Sequence, residues 1–550
     1  MIKLKLVSSL EKAFVDEKIE KFKSLERLSA LRGERVSFQL LYISEGEDAP
    51  LYSKRMAVTK SGELSELATL RNVVSVPVER TTNFDSFDDN YLRLEPGIFP
   101  DILMPLHYGG CIVSPKDRLH SVWIEIDIPK DAEAKEYKLA FGLEGVGEAS
   151  LTLEVIAATL PESEIKFTQW FHCDSLAHYY RVDMWSDEHW KIVRNFMKTA
   201  VRNGINMILT PTFTPPLDTA IGGERLTAQL VSVKLSGGEY EFDFTLLDKW
   251  VDMADEVGVK YFEIAHFFTQ WGAGHAPKVM ATVDGEYKKI FGWETDATSP
   301  EYRKFLRAFL TKFLAHMKSR GDDKRCYFHI SDEPHIEHME SYKAAREIVA
   351  DLLQDYTIMD ALSSFEFHKH GITDMAIPGS NHIDPFIEAG VKGLWTYYCC
   401  AQSKDVSNRF IAMPSYRTRS IGIQMFKFDI VGFLQWGYNF YMNFHSCDPI
   451  NPYIQQDGDD WIPAGDAFSV YPAPAGDAYE SLRIIVFHEA LQDISAMKLL
   501  EKYIPKERIV ELIEKRLGKE LRFDVCARCA DEILDIRESV NALIKEQLDK

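Results

Sequence analysis

An aspartate and a glutamate stand side by side at the end of a short apolar run, where they suit acid/base chemistry. The run covers residues 326–330, and Ser331, Asp332, Glu333 and Pro334 follow it. Pro334 has no N–H to donate, so the chain leaves a sheet there. Alternation along a strand would separate Asp332 from Glu333, but at a strand end both carboxylates can reach one pocket. This position is therefore the first candidate for catalysis.

Short apolar strands alternate with amphipathic helices around this pair. Eight such strands over about 280 residues match a (β/α)8 barrel. The predicted strands are residues 167–171, 207–210, 259–264, 326–330, 357–359, 375–377, 393–397 and 432–436, and the clearest helices are 187–203, 246–256 and 301–320. An open doubly wound sheet competes with the barrel, but the G-x-G-x-x-G fingerprint expected after its first strand is missing.

The chain of 550 residues is long enough for two or three domains. Alternating strands and little helical periodicity before residue 160 favour a β-sandwich. The last part is rich in Leu, Ile, Lys and Glu and carries no strand pattern. The predicted fold is thus multidomain: a β-sandwich over 1–160, a (β/α)8 TIM-like barrel over 161–477, and a C-terminal helical appendix over 478–550.

Residues at the carboxyl ends of the predicted strands are the candidates for substrate contact, because barrel active sites lie there. The candidates at these ends are Trp170, His172, Glu263, His266, Trp271, Trp395, Tyr397, Trp436 and Tyr438. Asp466 and Tyr471 join them from a Gly/Pro-rich loop after the eighth strand, since loops often carry function. Aromatic rings stack on sugar C–H faces and polar groups bind hydroxyls, so this set predicts a carbohydrate site.

The seventh predicted strand offers no carboxylate. A retaining glycosidase with its own nucleophile needs a second acid about 5–5.5 Å from the first, and an inverting one needs it further away. An adjacent pair fits substrate-assisted hydrolysis instead, in which the sugar's 2-acetamido oxygen attacks the anomeric carbon. One carboxylate orients the amide while its neighbour protonates the leaving oxygen.

Several segments together resemble a known family. They are residues 329–334 (His-Ile-Ser-Asp-Glu-Pro), 32–39, 123–129, 419–422, 432–436 and 465–472. In these segments the chain resembles glycoside hydrolase family 123, β-N-acetylgalactosaminidase-like proteins with an N-terminal β-sandwich and a (β/α)8 catalytic domain. Residues 465–467 (Gly-Asp-Ala) depart from the family pattern, in which a second glycine follows the aspartate.

The resemblance implies roles for individual residues. Asp332 would polarise the acetamido group, and Glu333 would act as general acid and then as general base. Such a glutamate must start protonated, which burial and the neighbouring Asp332 would favour. Tyr397 or Tyr438 would hydrogen-bond the acetamido oxygen.

Composition limits the partners. The net charge of -21 argues against nucleic acid, whose binding depends on Lys and Arg. No run approaches the roughly 20 apolar residues of a membrane span. The N-terminus lacks the apolar core of a signal peptide and the eight cysteines show no disulfide framework, so we expect a cytoplasmic protein. No cofactor or metal is expected, because His266, His275 and Glu263 lack strict ligand spacing, and Cys526 and Cys529 fit ordinary helix cysteines.

The preferred hypothesis is a glycoside hydrolase that cleaves β-linked N-acetylhexosaminides, above all N-acetylgalactosaminides, by a substrate-assisted retaining mechanism. One alternative is a glycosidase on another sugar that pairs Glu333 with Glu263 or Asp174. Another is a non-catalytic carbohydrate-binding protein of the same fold. Two structural alternatives compete with these functions: Ser331 or Asp332 as a helix N-cap, and Glu263 as a partner in an ion pair inside the barrel.

Overall fold

The structure is a computed structural model that describes residues 1–84, 86–373 and 375–550. The first strands form two five-stranded sheets, ordered β1-β3-β8-β5-β6 and β2-β10-β9-β4-β7. Their bounds are β1 (Ile2–Ser8), β2 (Arg27–Arg32), β3 (Arg35–Ser44), β4 (Met56–Ser61), β5 (Thr69–Val78), β6 (Gly97–Pro105), β7 (Cys111–Ile112), β8 (His120–Asp127), β9 (Glu136–Leu143) and β10 (Gly147–Thr159). Phe38 of one sheet meets Phe141 of the other edge to face at 5.4 Å. The predicted β-sandwich is confirmed.

The strands of the rest of the chain belong to the barrel and to small sheets beside it. They are β11 (Lys166–Gln169), β12 (Met207–Thr210), β13 (Ser232–Ser236), β14 (Glu239–Asp243), β15 (Tyr261–Ile264), β16 (Val279–Val283), β17 (Glu286–Phe291), β18 (Cys326–Phe328), β19 (Thr357–Ala361), β20 (Met375–Ile377), β21 (Trp395–Tyr397), β22 (Gly432–Gln435), β23 (Val470–Pro472) and β24 (Ala478–Glu480).

Eight parallel strands form the barrel in the order β20-β19-β18-β15-β12-β11-β22-β21. A parallel bridge between Gly379 and Tyr397 closes the ring between β20 and β21, and the Ser380 N–H donates to the Tyr397 carbonyl at 2.8 Å. The predicted (β/α)8 barrel is confirmed. The strand predicted at 326–330 ends early, because the Ile330 N–H donates to the Asp360 carboxylate at 3.0 Å instead of to a neighbouring strand.

Helices surround the barrel and end the chain. They are α1 (Cys173–Tyr180), α2 (Asp187–Arg202), α3 (Thr245–Val257), α4 (Pro300–Arg320), α5 (Met339–Glu347), α6 (Phe365–Lys369), α7 (Asp384–Glu388), α8 (Ser415–Lys427), α9 (Leu482–Glu501), α10 (Lys506–Leu517) and α11 (Ala530–Leu548). Ser186 and Ser299 are the N-caps of α2 and α4. The side chain of each serine accepts a hydrogen bond from the backbone N–H of the residue three positions later. No helix in the described part of the chain is long and apolar enough to cross a membrane.

A four-stranded sheet that the sequence patterns did not reveal lies beside the barrel, in the order β14-β13-β16-β17. The hairpin β13–β14 is inserted after β12, and the hairpin β16–β17 after β15. The outer strands β14 and β17 are largely exposed, so they carry little of the apolar signal that marks the barrel strands. Both insertions extend the loops at the carboxyl end of the barrel.

Helix α9 covers the barrel. Phe487 stacks on Phe167 of β11 with ring centroids 4.5 Å apart and lies 4.8 Å from Phe433 of β22. Helix α9 therefore takes the place of the helix that follows the eighth barrel strand. Helices α10 and α11 pack beside it, and α11 also contacts β2 and β10 of the sandwich. Cys526 and Cys529, expected in a helix, lie in the segment before α11 with free thiols.

Buried charges join the sandwich to the barrel. Glu125 of β8 accepts hydrogen bonds from Arg71 at 3.1 Å and from Arg202 of α2. Glu480 accepts from Arg202 at 2.9 Å and from Asn203 at 2.6 Å. Burial opposes the charge of Glu480, but the two arginines outweigh it and lower its pKa to about 2. Paired charges of this kind fix the geometry of an interface, because removing one partner leaves the other buried and unpaired.

A substitution at Gly432 tests the packing inside the barrel. A Cβ at this position would lie 2.0 Å from the ring of Trp395, which is buried opposite it on β21. Gly432→Ala should therefore lower the free energy of unfolding by about 1–3 kcal/mol, measured by urea and thermal unfolding. At Gly97 a Cβ meets only Phe99 at 3.8 Å, so Gly97→Ala is the control and should stay within about 0.5 kcal/mol. Equal effects of the two substitutions would contradict this packing.

Candidate active site

A cavity of about 170 Å³ opens at the carboxyl ends of the barrel strands. Six of the predicted site residues line it, together with side chains from the loops after the second, third, seventh and eighth strands. The lining residues are Trp170, Leu217, Asp218, Gln270, Trp271, Asp332, Glu333, Ala361, Tyr397, Cys399, Cys400, Leu434, Trp436 and Trp461. Both members of the acid pair thus face the same space.

The backbone explains how adjacent side chains reach one cavity. Glu333 has a φ of +42°, in the left-handed region. Its N–H donates to the Ala361 carbonyl at 3.0 Å, and the Asp332 carbonyl accepts from the Trp271 N–H at 2.9 Å. A left-handed non-glycine residue costs about 1–3 kcal/mol, and such strain concentrates at functional sites. Here it removes the alternation that would otherwise turn one carboxylate away.

The alternative that Ser331 or Asp332 caps a helix is wrong. The Ser331 hydroxyl donates to the Thr269 carbonyl at 2.8 Å, across to the loop after the third strand. The next helical turn starts only at Ile336, with His335 as its N-cap. The turn that carries the acids is therefore held by neighbouring loops.

Charge and burial act together on the acid pair. Burial and then the charge of Glu333 raise the pKa of Asp332 well above its usual range. The Tyr397 hydroxyl donates to Glu333 Oε1 at 2.6 Å. Burial beside a second carboxyl group therefore favours the protonated form of Asp332.

A buried charge chain, formed by Glu263, His329 and Asp360, lies below the acid pair on three adjacent strand ends. The His329 ring contacts Glu263 at 2.7 Å and Asp360 at 3.2 Å, and all three side chains are fully buried. Burial alone would lower the pKa of His329, but the hydrogen bonds to Asp360 and Glu263 outweigh it and raise this pKa to about 9. Glu263 thus lies in the barrel interior as an ion-pair partner and does not line the cavity.

Two tryptophans of the cavity are held from behind by acids. Trp170 Nε1 donates to Glu263 Oε1 at 2.7 Å, and Trp436 Nε1 donates to Asp466 Oδ2 at 2.9 Å. Asp466 is fully buried behind Trp436. Glu263 and Asp466, both predicted to contact substrate, therefore orient the rings that line the cavity.

Three predicted aromatic residues lie away from the cavity. Trp395 fills the barrel interior over Gly432, where the missing side chain makes room for it. The Tyr438 hydroxyl donates to the Phe196 carbonyl of α2 at 2.8 Å, because the chain has turned outward after β22. The Tyr471 hydroxyl donates to Asp101 of the sandwich at 2.6 Å.

His172 is held in a separate buried cluster. Its Nδ1 accepts from Arg225 at 3.1 Å, and Arg225 makes two bonds of 2.8 Å to Asp174. Burial and the charge of Arg225 lower the pKa of His172 to about 3, so the ring is neutral. Neither His172 nor Asp174 lines the cavity.

His266 lies beside the buried charge chain and does not line the cavity. Its ring stacks on His329 at 4.2 Å with 18° between the planes, and neither ring nitrogen has a partner among the described residues. Ligand atoms of His266, His329 and Asp360 lie within 4.8 Å of one another. Stacked imidazoles direct their lone pairs in parallel, however, and His329 already binds two carboxylates, so this group is poorly arranged for a metal.

Asp218 is a functional residue that the sequence patterns did not predict. This third carboxyl group lines the cavity from the loop after the second strand, at a φ of +48°. Its backbone N–H donates to Gln270 at 2.5 Å, whereas its carboxyl group has no hydrogen-bond partner among the described residues. Burial, with the charges of Asp466 and Glu333, raises its pKa to about 8, although Arg225 opposes the shift. The available signal was Pro215 and Pro216, which mark a loop that continues past the second strand.

An acid pair among aromatic rings at the carboxyl end of a (β/α)8 barrel is typical of a glycosidase. Residues 170–500, more than half of the chain, match the family model "Glycoside hydrolase 123, catalytic domain". The chain belongs to glycoside hydrolase family 123. It is accordingly a glycoside hydrolase with a carbohydrate substrate, and the predicted family resemblance is confirmed.

Two solved structures were compared with the chain. A family 123 glycoside hydrolase from Clostridium perfringens, described for glycolipid glycan hydrolysis, is similar with a TM-score of 0.72 and 16% identity, over 100% of this chain and 98% of that chain. The two chains share the fold. A GH5 xyloglucanase from Bacteroides ovatus has a TM-score of 0.29 and 9% identity, over 89% of this chain and 100% of that one, which is too remote to bear on function. No curated protein matches the chain.

Removing the charge of His329 should destabilise the fold. His329→Leu leaves two buried carboxylates unpaired and should lower the free energy of unfolding by about 3–5 kcal/mol. The pKa of His329 in the folded protein lies near 9. The stability difference between wild type and variant should therefore have its full size below about pH 6.5 and should shrink as the pH rises through 9. Thermal and urea unfolding at pH 6 and pH 10 measure it. Glu263→Gln should cost less in the His329→Leu background than alone, and additive losses would refute the coupling.

Asp218 should lower stability in alkaline solution. Its folded pKa of about 8 exceeds the unfolded value of about 3.9, so folding disfavours the ionised form and its cost grows from pH 4 to pH 8. Asp218→Asn should therefore match the wild type at pH 4 and exceed its stability by at least about 1 kcal/mol at pH 8.5, by thermal unfolding. Asp284→Asn is the matched control, because Asp284 is exposed and also left-handed. The same pH trend in both variants would contradict the raised pKa of Asp218.

Proposed function

We propose that the protein hydrolyses β-linked N-acetylhexosaminides, above all N-acetylgalactosaminides, with retention and with the substrate's acetamido oxygen as nucleophile. The observation that carries this proposal is the adjacency of Asp332 and Glu333 in one ring-lined cavity. Neighbouring carboxyls on one turn approach the substrate from the same side, which suits one acid on the acetamido group and one on the leaving oxygen. The relative from Clostridium perfringens, described for glycolipid glycan hydrolysis, supports a glycan as substrate.

The contacts and protonation of the free site support different roles for the two acids. Asp332, with its raised pKa, holds a proton before substrate binds. The amide N–H of a bound sugar donates to Asp332 and favours its ionised form, so the proton passes to Glu333. Tyr397 then turns its hydroxyl from Glu333 to the acetamido oxygen. Glu333 protonates the leaving oxygen and afterwards deprotonates the water that opens the oxazoline.

Asp218 is a further acid in the cavity, and its role follows from its charge state. A carboxyl with a pKa of about 8 is neutral at pH 7, so it is a poor nucleophile. Its oxygens, which have no hydrogen-bond partner in the described part of the chain, suit hydrogen bonds with sugar hydroxyls. The alternative acid partners fit less well, because Glu263 binds His329 and Asp174 binds Arg225 outside the cavity.

Conservative substitutions test the proposal. Asp332→Asn and Glu333→Gln should each lower kcat/KM for 4-nitrophenyl β-N-acetylgalactosaminide by about 10²–10⁴-fold, because each removes a group that acts in the transition state. Glu337→Gln is the control, since Glu337 is exposed on the same segment. A thiazoline mimic of the oxazoline should bind far more tightly than the product sugar.

Other outcomes would select the alternatives. Full activity in either acid variant would refute the assignment of the pair. Turnover of the matching glycoside without an acetamido group, together with weak thiazoline binding, would favour a glycosidase with an enzymic nucleophile, and Asp218→Asn would then abolish turnover. Measurable sugar affinity with no turnover of any glycoside would favour a carbohydrate-binding protein.

A further inference from the structure

Three aromatic rings form a wall beside the cavity mouth: Trp271, His445 and Phe444, here called the aromatic wall. The rings of Phe444 and His445 stack with centroids 3.7 Å apart, and His445 faces Trp271 at 5.5 Å. Phe444 is 48% exposed and Trp271 is 38% exposed. Large apolar side chains left open beside a cavity commonly mark a binding surface.

The aromatic wall is continuous with the cavity. Phe444 lies 5.2 Å from Trp461, and Trp461 lies 5.8 Å from Trp436. Trp461, Trp436 and Trp271 line the cavity, whereas Phe444 and His445 do not. A ligand that fills the cavity and extends past Trp461 therefore meets Phe444 next.

Hydrogen bonds between loops hold the wall in place. The Ser446 hydroxyl donates to the Asp218 carbonyl at 2.7 Å, and the Ala220 N–H donates to the His445 carbonyl at 3.0 Å. The Asp218 N–H in turn donates to Gln270, next to Trp271. Loops after the second, third and eighth strands thus form one unit, so the wall is organised before any ligand arrives.

The backbone of the wall is strained. Trp271, His445 and Ser446 have φ values of +58°, +56° and +57°. The left-handed region is unfavourable for bulky side chains, and residues held there concentrate at binding and catalytic sites. Two of the three strained residues carry the facing rings, so the strain serves to aim these rings.

We propose that the aromatic wall is a second sugar subsite, which stacks on the pyranose ring next to the sugar held in the cavity. This inference rests on the proposed function and extends its substrate to an oligosaccharide. A pyranose presents a flat C–H face that matches one or two exposed rings. Only two rings are substantially open, which is a small area for a protein or membrane partner.

Phe444→Ala tests the subsite, because Phe444 belongs to the aromatic wall but does not line the cavity. The small substrate is the β-glycosyl azide of the cleaved sugar, whose leaving group is too short to reach the wall. For this substrate kcat/KM should stay within about twofold of the wild type, whereas for an oligosaccharide with the same terminal sugar it should fall about 5–30-fold. Tyr503→Ala is the control, since Tyr503 is 46% exposed in the turn after α9 and should change neither value.

Equal losses on both substrates, or none on the oligosaccharide, would overturn the subsite. A binding measurement distinguishes failure of the subsite from failure of the proposed function. Calorimetric titration of Glu333→Gln with the oligosaccharide requires no turnover, and adding Phe444→Ala should weaken the affinity about 5–30-fold. Unchanged affinity in the double variant would refute the subsite even if the wild type hydrolyses the azide. Lack of hydrolysis with weakened affinity would refute the proposed function and retain the subsite.

Discussion

The positive charge of His329, held between Glu263 and Asp360, is the interaction on which the cavity depends. Three fully buried charges are tolerated only as a chain in which each has its partners. Glu263 also takes the indole N–H of Trp170 and thereby fixes the ring at the cavity. Asp360 takes the backbone N–H of Ile330 and thereby ends β18 just before the catalytic turn. One chain of charges therefore sets both the ring and the start of the turn that carries the acids.

Much of the fold was predictable, because buried parallel strands repeat an apolar signal that the sequence carries directly. The acid pair was predictable for the same reason, since the end of a barrel strand marks the catalytic face. Periodicity does not say which polar residue meets solvent and which meets a partner. Trp170 and Glu263 have equivalent positions in the pattern, yet one lines the cavity and the other supports it.

Loop residues were harder to predict than strand residues. Asp218 lies beyond the reach of strand periodicity, and what distinguishes it is a carboxyl group without a partner among the described residues, which only the folded loop reveals. Tyr397 and Tyr438 show the same limit. Both tyrosines belong to strand ends in the sequence, but Tyr397 keeps the inward direction of β21, whereas Tyr438 follows a turn toward α2. Residues one or two positions past a strand lose the alternation that fixes direction.

The sandwich reaches the cavity through the loop after the eighth strand. Asp101 of β6 makes two bonds of 2.9 Å to Arg483, and Arg483 donates to the Gly465 carbonyl at 2.6 Å. Asp466, the next residue, accepts from the indole of Trp436. At Gly465, with a φ of +97°, a Cβ would lie 2.9 Å from a side-chain carbon of Ile411, so only glycine lets the loop pass. A buried carboxylate of the sandwich thus helps to orient a cavity ring, which gives the N-terminal domain a structural part in the site.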